Sequence, residues 1–288
     1  MIENCLIPNP VLGLLPNPLT ALVFHYDSFT SSAGGQVSEA AYLCSSGMSI
    51  RVLVSPTNLA AMRALYTNIP GLPPDTPRPT VKPFFLDQKY LNVDRLMTLM
   101  AAGTSEGAAM PLYMQSALQI LREMAMNDQK QQQSSKKQKP GIDYALFKKL
   151  ILSKDLSPGQ LAPLSLRLGI LESFIGVDSR PGGGETIDWS PIPGTLTIVD
   201  LSCPFVDPDT ACGLFEMCLG VYLEQKMEIG RLIVLDEAHK VMFNFPSFFF
   251  ISFSFFFQKK NTSTQKQISS PPIYSPESLF NNSNTNYS

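Results

Sequence analysis

The chain has 288 residues, 44% of them apolar, and a formal net charge of -2. That is enough for one large domain or two small ones, of ordinary globular composition, with no global electrostatic pull toward nucleic acid. The five cysteines show no CxxC pair and the only histidines are His25 and His239, so a zinc site and histidine-based catalysis have little material.

The opening stretch, MIENCLIPNP, lacks a basic n-region, carries Glu3 and reaches Pro8 early, unlike a signal peptide. Reduced, buried thiols and an intracellular compartment are expected, with nucleus and cytoplasm not distinguished.

Four short apolar runs read as buried strands: Thr20–Asp27, Ile50–Ser55, Thr195–Ser202 and Arg231–Glu237. Each is rich in Val, Ile or Leu with little alternation, as in a sheet covered on both faces. Lys82–Asp87 is a fifth, weaker candidate. Pro56–Ile69 reads as a helix with Leu59, Met62, Leu65 and Tyr66 on one face.

From about 91 to 176 the pattern turns helical, predicting helices over Asn92–Ala102, Pro111–Met126, Ile142–Leu152 and Leu156–Gly176. The last opens with Ser157 as cap and Pro158 at the first helical position, and its stripe is Leu161, Leu164, Leu168, Leu171 and Ile175. Within this insertion, Asn127–Gly141 is a polar, Lys-rich loop. A Gly-rich loop, Ser179–Glu185, leads back to the third strand. Asp207, Pro208 and Asp209 then open another helix, which joins the third strand to the fourth. This strand–helix–strand alternation predicts an α/β fold with a mostly parallel sheet and a helical insertion.

The stretch GRLIVLDEAHK, Gly230–Lys240, carries the most chemistry. A nucleotide phosphate arrives with magnesium, which takes oxygen ligands and keeps several waters. A carboxylate at the end of a buried strand holds such a water, and a second one beside it polarises the attacking water. Asp236 is thereby the candidate metal residue and Glu237 the candidate catalytic base. The plainer alternative is a strand that ends where polar residues begin, with Asp236 capping a helix. Asp200 ends the neighbouring TLTIVDLS strand and is either a companion at that edge or a structural cap.

The segment LTIVDLSCPFVDPDTACGLFEMCLGVYLEQ followed by GRLIVLDEAHK resembles the HerA/FtsK-like group of P-loop ATPases, in particular uncharacterised fungal proteins of that kind. In that group a strand like TIVDLS precedes a helix, then a Walker B strand ending in an acidic pair. ALVFHYDSFTSSAGGQ looks like the strand and loop that follow the first helix there. The likeness covers most of Met1 to Lys240, with the Lys-rich loop as a poorly matching insert. It implies a P-loop NTPase core over residues 1–240, ATP and Mg2+ as cofactors, a homo-oligomeric ring, and nucleic acid or a protein assembly as partner. A DEAH-box RNA helicase fits less well, because its other motifs are missing.

The phosphate-cradling half of such a site needs GxxxxGK[ST], so that backbone N–H groups surround the phosphates and the lysine reaches the terminal ones. No such run occurs, and RPGGGE and SSAGGQ both lack the lysine. The cofactor-binding Walker A residues are therefore absent. The expectation is an incomplete core, inactive alone, in which Met1 is an internal methionine of a longer protein. The alternative is a non-catalytic pseudo-ATPase or protein-interaction module.

After Lys240 the composition becomes Phe- and Ser-rich to Phe257, then polar to Ser288. Residues 241–288 read as a low-complexity tail, either translated intron or a hydrophobic tail that binds a partner or membrane. Phe243–Phe257 is too short and too polar for a membrane span. The lysines at 130, 136, 137, 139, 148 and 149 read as solvated rather than as a phosphate-backbone contact. Arg180 reads as structural, Trp189 as a packing residue, and His239 as either a nucleotide sensor or a solvent-facing helix start.

Overall fold

The computed structural model describes residues 2–7, 15, 17–27, 36–101, 110–132, 141–175, 187–190, 192–226 and 229–236. Among the described residues, five strands carry the fold: β1 (Thr20–His25), β2 (Ile50–Val54), β3 (Thr80–Pro83), β4 (Leu196–Asp200) and β5 (Arg231–Leu235). They form one sheet in the order β3-β2-β4-β1-β5, and every pairing is parallel. The four apolar runs are all strands. The fifth lies at Thr80–Pro83 rather than Lys82–Asp87: Phe84 N–H still donates to the Val54 carbonyl at 2.8 Å, after which Phe85 and Leu86 leave the ladder, and all three are buried. Leu86 instead makes an isolated bridge to Ile175.

Parallel neighbours require crossovers, and these put helices on both faces. On one face lie α1 (Ile2–Leu6), the 3-10 helix Glu39–Ser46 and α2 (Leu59–Thr67). Their Leu6, Ala41, Cys44, Met62 and Tyr66 pack with Ala21, Val23, Val52, Val54 and Ile198. The opposite face is larger. There α3 (Val93–Ala101), α4 (Leu112–Gln132), α5 (Tyr144–Leu152), α6 (Pro158–Phe174) and α7 (Pro208–Glu224) cover Leu22, Phe24, Leu53 and Val199. Phe24 meets Phe215 of α7 with ring centroids 4.8 Å apart, and Phe84 meets Phe174 of α6 at 5.8 Å. The helical insertion, together with the crossover helix α7, thus seals one face of the sheet.

Local signals set the helix ends. Asp207 caps α7 as expected, its carboxylate accepting from the Thr210 N–H and hydroxyl, each at 2.9 Å. Ser157 holds the cap position of α6, but its side chain makes no capping bond; its carbonyl accepts from Gln160 and Leu161 instead. Asp143, not singled out in the sequence, caps α5 through Leu146 N–H at 3.0 Å. Of the expected α6 stripe, Leu164, Leu168, Leu171 and Ile175 are buried and Leu161 partly so. Helix α4 runs six residues beyond the expected Met126, to Gln132, and so takes in the first six residues of the stretch Asn127–Gly141 expected to be loop. All five cysteines are free of disulfides, and only Cys5 is not fully buried. Among the described residues, no helix is long and apolar enough to cross a membrane.

Candidate functional site

The two-residue period of a strand decides what gathers at the carboxyl edge of the sheet. On β1, Ala21 and Val23 face the α2 side, so His25 does too. On β4, Leu196 and Ile198 face that side, which carries Asp200 with them. On β5, Leu232 and Val234 do the same for Asp236. Register then aligns the three. His25 lies opposite Asp200, Phe24 lies opposite Leu235, and Asp236 N–H donates to the Phe24 carbonyl at 2.8 Å. The result is a row across β5, β1 and β4: carboxylate, imidazole, carboxylate.

Both ends of the row are held by hydrogen bonds. His25 Nδ1 lies 3.0 Å from Asp236 Oδ2, and the Ser38 hydroxyl donates to the same oxygen at 3.0 Å. At the other end, the Tyr66 hydroxyl donates to Asp200 Oδ2 at 2.6 Å, and Ser202 N–H donates to Asp200 Oδ1 at 3.0 Å. Ser38 joins the two ends, since its N–H donates to the Tyr66 oxygen at 3.3 Å. Ser202 in turn gives its hydroxyl oxygen to the Asp27 N–H at 2.8 Å, tying the end of β1 to the end of β4.

Burial differs along the row. Asp200 is fully enclosed and His25 nearly so, whereas the Asp236 side chain keeps 27% of its surface exposed. Burial opposes charge on the His25 ring, but the Asp236 hydrogen bond and the Asp200 and Asp236 charges outweigh it, so its pKa rises. Main-chain Gln36 adds the smallest pull. Burial drives the Asp200 carboxyl up, against the opposing pull of His25, Tyr66 and Ser202. Tyr66 is pushed well above the usual phenol range by burial and then by the Asp200 charge.

Asp236 stands where the sequence places it, at the carboxyl end of a parallel strand, the edge at which open α/β sheets bind ligands. Asp200 lies at the same edge beyond His25, and it also makes a local capping contact, its Oδ1 accepting from the Ser202 N–H. Glu237, His239, Arg180, the Gly-rich loop Ser179–Glu185 and the tail lie outside the described residues, as do most of the loop lysines. Lys148, on α5, is paired with Glu172 at 2.5 Å. Trp189 is a buried packing residue.

Sequence reasoning missed His25, Ser38 and Tyr66. A signal for His25 was present: like Asp200 and Asp236, it is the first polar residue after an apolar run. Nothing local marks Ser38 or Tyr66, which reach the row from the connection after β1 and from α2.

Asp236 Oδ2 already accepts from two protein donors, and Asp200 is sealed with both oxygens engaged. Among the described residues, no three His, Cys, Asp or Glu side chains converge as ligands. Through Oδ2, Asp236 therefore does not fit a directly coordinated Mg2+ in this arrangement. Nor is this a Ser–His–Asp relay: Ser38 and His25 both bond to the carboxylate and not to each other. No protein-family model, curated protein or solved structure matches the chain.

Proposed function

We propose that the chain is an incomplete P-loop NTPase core of the HerA/FtsK-like type that neither binds nor hydrolyses ATP on its own. The observation that carries this reading is the placement of Asp236. It stands at the carboxyl edge of an all-parallel sheet, as a nucleotide hydrolase requires, yet its carboxylate is engaged by His25 and Ser38. The sequence also contains no GxxxxGK[ST] loop to hold phosphates. In this reading ATP, Mg2+, a ring assembly and work on nucleic acid or a protein complex belong to the complete family protein, in an intracellular setting. Glu237 is the general base of that complete site.

The engaged carboxylate equally favours a second reading, a non-catalytic pseudo-ATPase that serves as an interaction module. ATP-dependent thermal shift and phosphate release, measured on the purified chain with Mg2+, test the proposal. No shift and no turnover are expected. Turnover that disappears in Glu237→Gln would overturn it and make the chain an active ATPase.

A further inference from the structure

We infer that the outer edge of β5 is a docking surface for a second copy of this chain, the two β5 strands pairing antiparallel about a two-fold axis at Ile233. The pairing involves no nucleotide and goes beyond the proposed function. β5 is an outermost strand: its ladder partner is β1, and among the described residues nothing pairs on its other side. The Gly230 carbonyl accepts from Thr20 N–H, and Asp236 N–H donates to the Phe24 carbonyl, so the even-numbered residues of β5 point their main-chain groups at β1. Those of Arg231, Ile233 and Leu235 therefore point outward. The strand is also less covered than its neighbours. Every residue of β1 and β4 is buried, whereas Ile233, Val234 and Leu235 are half-buried against the two core layers.

The opposite edge of the sheet is guarded. On β3 the Phe84 N–H donates to the Val54 carbonyl, so even-numbered residues face β2 and Pro83 falls at an outward position, where it removes a donor. Lys82 adds a charge beside it. β5 has neither device. Its charged residue, Arg231, turns its guanidinium onto the end of α7, donating to the carbonyls of Tyr222 at 2.8 Å, Leu223 at 3.0 Å and Gln225. Held there, it does not stand across the edge.

The β5 edge is complementary to itself. Its outward residues are centred on Ile233, so antiparallel register sets Ile233 opposite Ile233 of the second copy and Arg231 opposite Leu235, and each such pair exchanges both N–H···O bonds. The same register brings the basic Arg231 end of one strand beside the acidic Asp236 end of the other, whereas a parallel arrangement opposes like to like. With the axis perpendicular to the sheet, Ile233 and Leu235 of both copies stay on the α7 face and Val234 on the α2 face, so both apolar surfaces continue across the join. Such a pairing is isologous and closed, and it leaves the guarded β3 edges at the two ends.

Sedimentation of the full chain and residue-resolved amide exchange test the pairing. Twice the mass of the chain is expected at the concentrations used for NMR, falling to one chain on dilution. Ile233→Pro removes the central outward donor and no bond to β1, so it should be monomeric with the wild-type circular dichroism. In the wild type, the Arg231, Ile233 and Leu235 amides should exchange about tenfold or more slowly in the dimer than in the diluted monomer, with Leu232 and Val234 slow in both. A wild type that remains monomeric overturns the pairing; slow exchange at the three outward amides in that monomer would show that another segment of the same chain covers the edge. A folded Ile233→Pro that still dimerises overturns it as well, as does an assembly larger than two chains. If Ile233→Pro does not fold, the wild-type amides decide: protection that grows with concentration at Arg231, Ile233 and Leu235 supports the pairing, and exchange independent of concentration overturns it.

Discussion

Tyr66 donates its hydroxyl to Asp200 across 2.6 Å, with both side chains sealed from solvent. The bond joins α2 to the carboxyl end of β4 and supplies one of the partners that make a buried carboxylate tolerable. A buried acceptor that loses its donor costs its desolvation, which exceeds the net worth of an ordinary hydrogen bond.

Removing that hydroxyl should therefore be expensive for a single oxygen atom. Tyr66→Phe keeps the ring and its packing but strips Asp200 of a donor. A loss of about 2 kcal/mol is expected, read as a lower urea midpoint at unchanged slope. An unchanged midpoint would show that Asp200 does not depend on Tyr66.

Asp207 makes two capping contacts at the start of α7, the helix that carries Phe215 against the sheet. Asp207→Ala should cost about 1 kcal/mol. Asp207→Asn, which keeps the acceptor, should recover most of it. Thermal unfolding of the two variants checks the order.

Gly141 has φ of 90°, and a Cβ there would sit 2.2 Å from the main-chain carbonyl oxygen of Gln88. The neighbouring Ile142 N–H donates to the Leu91 carbonyl at 3.0 Å, which fixes this close approach. Since backbone rather than a flexible side chain stands in the way, Gly141→Ala should destabilise by about 1–3 kcal/mol. Equal stability of variant and wild type in chemical denaturation would contradict the contact.

Burial should make the fold sensitive to alkali. The Cys212 thiol is pushed up to about 12 by burial and then by Asp209 and Glu216, and Tyr26 reaches about 12 by burial and then Asp207. Both pKa values are raised in the fold, so these groups ionise first in the unfolded chain. Their contribution is full below the ordinary values of 9.0 and 10.0 and is lost as pH rises toward about 12. Stability measured across this range should fall, and Cys212→Ala should fall less steeply. A parallel fall in both proteins would remove Cys212 from the account.

The sequence alone located four of the five described strands and the helices from α2 to α7, and it placed Asp236 at a strand end, but it missed the 3-10 helix Glu39–Ser46. Continuous Val, Ile and Leu runs need cover on both faces, and stripes such as Leu164, Leu168 and Leu171 repeat at the helical period. These are local regularities, legible without a fold. Even so, the strand near Phe84 shifted, because an apolar run does not say where its residues leave the ladder for the core. The sequence also marked Asp236 as chemically loaded and left Asp200 as either a companion at that edge or a structural cap. Only the tertiary structure decided what those carboxylates touch. Parallel register set His25 between them, and the crossovers brought Ser38 and Tyr66 over the edge from 28 residues apart. Register and crossover packing are non-local properties, fixed by which faces bury together. For that reason the row Asp236, His25, Asp200 is written in the strands singly and becomes a site only when they align.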